Sequence, residues 1–199
     1  NDTLVGGAGN DSLDGGGQAV DTADYSYVGF SLGAATWSTG LSVTLNGSTW
    51  ANAVVNGGSE IDLLINIENI IGSKFADTLI GDNAVNIFTG GLGNDYMDGS
   101  GNSGGGDVAD YSYAPGTSLV ASGQQTTGGN HTFTLTVGAG STDVDTLVNI
   151  EVIRLGAGNN TVNLSALTSA SYNMSIDGSR SGTNVMYGTG GSDSFAGSS

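Results

Sequence analysis

The amino-acid sequence predicts an all-β chain wound into a repeating coil of short strands. A nine-residue frame recurs along it, a longer unit of about 84 residues encloses that frame, and glycine is in large excess. Three nonapeptides follow one another without a gap: "GSKFADTLI" (72–80), "GDNAVNIFT" (81–89) and "GGLGNDYMD" (90–98). Their sixth positions hold Asp77, Asn86 and Asp95, and their eighth positions hold Leu79, Phe88 and Met97. "GGAGNDSLD" (6–14) fits the frame with Asp11 and Leu13, while Asp2 and Leu4 close an earlier unit. "LGAGNNTVN" (155–163), "SRSGTNVMY" (179–187) and "GTGGSDSFA" (188–196) are further copies, with Asn160, Asn184 and Asp193 in sixth place.

Each unit reads as a loop of six residues and a strand of three. Glycines at positions one, two and four permit the positive φ values of a tight loop. The last three residues set one large apolar side chain between smaller or polar neighbours, the alternation of a one-sided strand about 10 Å long. A helix is excluded, because each glycine would cost it roughly 1 kcal/mol. Two units make one turn of 18 residues, so residues 18 apart stack on one edge. Asp77 then neighbours Asp95, and Asp2 neighbours Asp21, which reaches the sixth place after a one-residue insertion.

The longer unit repeats other segments. "DTADYSY" (21–27) returns as "DVADYSY" (107–113), and "DLLINIENI" (62–70) returns as "DTLVNIEVI" (145–153). Expected boundaries are 1–83 and 84–166 for two homologous units, with degenerate nonapeptides over 167–199. Between the repeated segments lie variable stretches, 28–60 and 114–143, rich in Thr, Ser, Val, Leu and Gly. "LSVTLNGSTW" (41–50) carries an Asn-Gly hairpin signal and "HTFTLTV" (131–137) alternates, so both stretches are expected to be β structure extending or flanking the coil. The opening Asn1-Asp2-Thr3-Leu4-Val5 reads as the middle of a repeat, which points to a piece of a longer chain.

Composition narrows the function. Nineteen Asp and Glu against three Lys and Arg give a net charge of -16, which argues against nucleic acid and anionic membrane surfaces and favours cations. Glycine appears 36 times without collagen's period, proline once, and cysteine not at all, so disulfides and thiolate metal sites are excluded. No apolar run approaches the ~20 residues of a membrane span.

Stacked carboxylates repel unless a cation lies between them. Hard oxygens from aspartates and loop carbonyls suit Ca²⁺, with several ions, better than Mg²⁺; zinc is disfavoured with only His131 available. The candidate ligands are Gly6, Gly7, Gly9, Asp11, Asp21 and Asp24, then Asp77 and Asp82, then Gly90, Gly91, Gly93, Asp95, Asp107 and Asp110. Asp and Gly also populate ordinary turns, and Asp14, Asp24, Asp98 and Asp110 read equally as solvated residues. Asn86, Asn160 and Asn184 bring a carbonyl oxygen without charge, fitting weak metal binding or an amide hydrogen-bond ladder. Tyr25, Tyr27, Tyr111 and Tyr113 alternate as packing residues do, an aromatic sugar platform being the alternative. Glu68 and Glu151, among isoleucines, either find buried partners or face solvent. His131 reads as structural, and no metalloprotease His pair, G-x-S-x-G elbow or phosphate-loop lysine points to an enzyme.

"GGAGNDSLD" and "GGLGNDYMD" resemble the G-G-x-G-x-D-x-U-x repeat of RTX, or haemolysin-type calcium-binding, proteins at every fixed position. "DTADYSY", the Asn-Ile-Glu strand and "GSKFADTLIGD" look like segments that join such repeats in large secreted bacterial proteins. The resemblance implies a parallel β-roll or β-solenoid with β insertions, calcium-dependent folding and type I secretion of the parent. The expected function is a calcium-binding structural module that folds outside the cell, a scaffold or assembly segment of a secreted or surface-layer protein. Its partners would be calcium and neighbouring repeats or copies. The alternative is a calcium-dependent module for polysaccharide or adhesion, or the non-catalytic part of a toxin or secreted enzyme.

Overall fold

The computed structural model describes residues 1–17, 20–28, 38–101, 106–114, 116–127, 130–138, 142–168, 173–180 and 182–197. Two sheets face each other across one core, and the chain alternates between them. The first sheet is wholly parallel and takes its eight strands in chain order. They are β1 (Thr3–Leu4), β3 (Thr22–Asp24), β7 (Asn69–Ile71), β9 (Ile87–Thr89), β11 (Val108–Tyr111), β15 (Val152–Leu155), β17 (Ser175–Gly178) and β19 (Ser194–Gly197). The second sheet holds β2 (Ser12–Asp14), β4 (Leu41–Thr44), β5 (Ala51–Val55), β6 (Glu60–Ile65), β8 (Thr78–Ile80) and β10 (Tyr96–Asp98). It continues through β12 (Ser118–Thr127), β13 (Asn130–Val137), β14 (Val144–Val148), β16 (Thr161–Asn163) and β18 (Val185–Tyr187). Apart from one short 3-10 turn at Asn56–Gly58, the described residues are all-β, a roll of the kind the repeats predict.

The nonapeptide frame survives intact. β8, β9 and β10 occupy positions seven to nine of the three consecutive units, and Leu79, Phe88 and Met97 are fully buried at position eight. Burying each such side chain is worth roughly 1.5–3 kcal/mol, which a three-residue strand needs because it has little else to hold it. Parallel pairing sets Tyr96 opposite Thr78, so residues 18 apart do stack.

The variable stretches enter one sheet only. β4, β5 and β6 form an antiparallel meander spliced between β2 and β8, and β12, β13 and β14 another between β16 and β10. Each meander leaves and rejoins as a parallel neighbour of a nonapeptide strand. The Asn46-Gly47 turn joins β4 to β5, with Gly47 at φ 56°. Residues 29–37, including Trp37, lie outside the described residues; Trp50 is half-exposed. Strand pairing runs unbroken across 83/84, since β7 pairs β9 and β8 pairs β10. No helix of the described residues is long and apolar enough to cross a membrane.

Candidate functional site

The residue at the entrance of each strand carries the chemistry. Its side chain reaches back to cap the backbone N–H at the same place one turn earlier, and this builds two ladders. Along the parallel sheet, the Asp2 N–H donates to Asp21 Oδ1 (2.6 Å) and the Asp21 N–H to Glu68 Oε2 (2.8 Å). Further on, the Asn86 N–H donates to Asp107 Oδ1 (2.7 Å) and the Asp107 N–H to Glu151 Oε2 (2.9 Å). Glu68 and Glu151 therefore have backbone amides as partners, one of the two fates open to them.

Along the mixed sheet, the Asp11 N–H donates to Asp62 Oδ1 (2.9 Å), the Asp77 N–H to Asp95 Oδ1 (2.9 Å) and the Asp95 N–H to Asp145 Oδ1 (3.0 Å). Asp62 and Asp145 were missed as site residues. They open the repeated segments "DLLINIENI" and "DTLVNIEVI", so their recurrence was a usable signal.

One carboxylate oxygen thus serves the ladder, and the fate of the other divides the loops. Among the described residues no donor reaches Oδ2 of Asp11, Asp21, Asp95 or Asp107, and all four atoms are shut from solvent. Glu60 Oε2, at the start of β6, is in the same condition. A buried carboxylate oxygen without a donor is costly unless a cation meets it. Burial, and next the Asp145 carboxylate, push Asp95 up to about 9. Burial raises Asp107 to about 7 and Asp145 to about 7.

The other loops have internal partners. Ser73 stands where Gly91 stands one turn on, and Asp77 Oδ2 accepts the Ser73 N–H (2.6 Å) while Oδ1 accepts the Ser73 hydroxyl (2.8 Å). Thr189 does the same for Asp193, by N–H (2.7 Å) and hydroxyl (2.8 Å). Where asparagine replaces the acid, its amide nitrogen turns inward. Asn160 Nδ2 donates to the carbonyls of Gly156 (2.9 Å) and Gly158 (3.1 Å), Asn184 Nδ2 to that of Gly178 (2.9 Å), and Asn86 Nδ2 to that of Glu68 (2.8 Å). The neutral N–H groups sit among loop carbonyls, as a cation's positive charge would.

The glycines divide by task. Gly91 and Gly93 take φ 107° and 115°, as expected for positions two and four. Position one differs from expectation: Gly90 has no positive φ, and a Cβ there would collide with Asp95 Oδ2. Close approach to the carboxylate, not backbone conformation, requires glycine at that place.

The ninth-position acids belong to the turns that leave each strand. Asp14, Asp24, Asp98 and Asp110 accept the N–H two residues on, from Gly16, Ser26, Ser100 and Ser112 at 2.8–2.9 Å. Asp110 also pairs with Arg154 (2.9 Å), which lies in register between Asp110 and Asp177. Asp82, at a second position, caps its own turn through the Ala84 N–H (2.8 Å). The first tyrosine of each Asp-Tyr-Ser-Tyr segment, Tyr25 and Tyr111, is wholly in the core, as the alternation favoured. No three acidic or histidine side chains among the described residues lie close enough together to hold a metal. The donor set that fits a cation is therefore an aspartate completed by loop carbonyls. That is a hard-oxygen set, suited to calcium.

A family model, the RTX calcium-binding nonapeptide repeat, matches in four copies over residues 1–19, 66–97 and 180–199. The chain carries RTX repeats. RTX repeats bind calcium and act as structural modules. The matched segments hold the loops of Asp11, Asp77, Asn86 and Asp95, together with those of Asn184 and Asp193. The two meanders and the Asn160 loop lie outside them. No curated protein matches the chain at a significant level.

Proposed function

We propose that this chain is a calcium-folded structural segment of a secreted or surface bacterial protein, with ions held at the loops of Asp11, Asp21, Asp95 and Asp107. The observation that carries the reading is that, among the buried carboxylate oxygens with no donor, Oδ2 of Asp11, Asp21, Asp95 and Asp107 fall two in each long unit and at equivalent places. Calcium would supply the missing positive charge, and carbonyls of the glycine-rich loops would complete its oxygen shell. In low calcium the carboxylates repel and three-residue strands cannot bury enough surface to hold together. At calcium ~100 times its dissociation constant, each occupied site stabilises only the folded roll, by about 2.7 kcal/mol. Such a chain stays threadable in calcium-poor surroundings and folds after export. Its continuous strand ladders fit a scaffold or assembly role, with neighbouring repeats or copies at the ends.

The polysaccharide reading receives less support. Tyr25 and Tyr111 are buried with their hydroxyls engaged, which leaves no open stacking platform there. Far-UV circular dichroism during CaCl₂ titration of calcium-stripped protein, with MgCl₂ as control, tests the proposal. A cooperative gain of β signal with calcium alone is expected. A spectrum already complete in chelator overturns the folding switch.

A further inference from the structure

Both loops that keep the full G-G-x-G-x-D pattern, 6–14 and 90–98, are gripped from two sides by the same repeated segment. Tyr111 crosses the core from β11 and donates its hydroxyl to Asp145 Oδ2 (2.8 Å), while Asp145 Oδ1 accepts the Asp95 N–H (3.0 Å). Tyr113, two residues on, donates to the carbonyl of Gly91 (2.6 Å), the second glycine of the same loop. In the first unit, Tyr25 donates to Asp62 Oδ2 (3.0 Å), Asp62 Oδ1 accepts the Asp11 N–H (2.9 Å), and Tyr27 donates to the Gly7 carbonyl (2.7 Å). The rings lean on each other alike, with centroids 6.0 Å apart at 32° in one pair and 6.3 Å apart at 35° in the other. The loops of Asp77 and Asp193 have their own serine or threonine donors instead, and their aspartates lack no partner. Tyrosine hydroxyls and donorless aspartates thus coincide twice.

We propose that the two Asp-Tyr-Ser-Tyr segments are clamps that preorganise the cation loops, Tyr25 and Tyr111 through the returning aspartates Asp62 and Asp145, Tyr27 and Tyr113 through the second-glycine carbonyl. The inference rests on the calcium reading above and assigns the motif a positioning role in it. A cation entering the loop must meet a fixed aspartate oxygen and fixed carbonyls. Holding them in the folded roll stabilises the ion-bound geometry, so the hydroxyls add to the coupled folding and binding. The meander contributes through its last strand, since β6 and β14 deliver Asp62 and Asp145 to their places.

The test uses the full chain, stripped of calcium and titrated with terbium(III) alone, followed by tyrosine-sensitised luminescence and by displacement with calcium. Tyr111→Phe and Tyr113→Phe keep the rings and remove the hydroxyls. Each is expected to raise the calcium and terbium midpoints about tenfold with the same number of ions at saturation. Tyr113→Phe also removes a sensitiser beside the loop, so the midpoint at an unchanged ion count, which a loss of fold would not give, carries the test. Tyr187→Phe, at an exposed position outside both clamps, should leave all three readouts unchanged. Tyr113 is partly exposed, so its variant still gives the answer if Tyr111→Phe does not fold. Midpoints of both variants within about twofold of the parent, or an equal shift from Tyr187→Phe, overturn the clamp while leaving calcium binding in place. A parent chain that takes up neither ion overturns the calcium reading, and the clamp with it.

Discussion

Loops 72–80 and 90–98 are consecutive turns on the same sheet, joined strand to strand by β8 and β10, yet they treat the same aspartate differently. Asp77 is held by three donors, the Ser73 N–H, the Ser73 hydroxyl and the Leu41 N–H, and burial raises it only to about 6. Asp95 gives one oxygen no donor, and its carboxyl is pushed to about 9 by burial and Asp145. One hydroxyl-bearing residue at position two accounts for much of the contrast. The Asn160 loop reaches the same end with an amide nitrogen among its carbonyls. A turn of this roll leaves one aspartate oxygen without a donor, meets it with a serine or threonine, or replaces the acid with an asparagine. The residues at positions two and six decide which.

The widest break in that contrast should come from pH in the absence of metal. Asp95, Asp107 and Asp145 have folded-state values of about 9, 7 and 7, above the ordinary 3.8 of an unfolded aspartate. Folding therefore takes up protons, and this stabilisation is full below about pH 4 and is lost as pH rises through 7 and 9. In chelator, the folded fraction read by far-UV circular dichroism should rise as pH falls from about 9 to about 5, a gain of roughly 2 kcal/mol or more in total. Saturating calcium should flatten the dependence above neutrality, because the ion takes the place of the protons.

Ser73→Gly should convert the satisfied loop into the other kind. With that loop empty the roll is expected to lose about 1–3 kcal/mol, as a buried carboxylate loses donors, so folding should begin at higher calcium. Calcium should restore it, with one more ion in equilibrium dialysis. Asp95→Asn runs the conversion the other way. One fewer ion should bind, and leaving that loop empty should cost the roll about 1 kcal/mol less, as the amide replaces a carboxyl that must take up a proton to be buried. Asp110→Asn marks the lower bound: losing the Arg154 pair should change urea stability by less than about 1 kcal/mol and leave the ion count unchanged.

Much of the roll was legible in the residues. Glycine spacing and a single apolar residue at position eight are local signals, and they located β8, β9 and β10 and the buried Leu79, Phe88 and Met97. The stacking of Asp77 beneath Asp95 and of Asp2 beside Asp21 followed from the 18-residue turn. Asp62 and Asp145 escaped the candidate list because their loops lack the glycine pattern; they join the ladder only through a meander that returns to the same sheet. Asp14, Asp24, Asp98 and Asp110 read as ambiguous because an acid beside a turn serves a ligand role and an Asx cap with the same sequence.

The sequence by itself determined the loop-and-strand rung, the two-sided coil and the hard-oxygen character of its edges. Those properties depend on neighbours within nine or 18 residues. Only the tertiary structure decided which distant groups meet the aspartates, beyond the local serine, threonine or asparagine. The donors that satisfy or fix them come from far along the chain, as Leu41 does for Asp77 at 36 residues and Tyr111 for Asp145 at 34. It also decided that both variable stretches widen one sheet and leave the other continuous, because a strand's hydrogen-bonding partner is chosen by packing and not by its own residues.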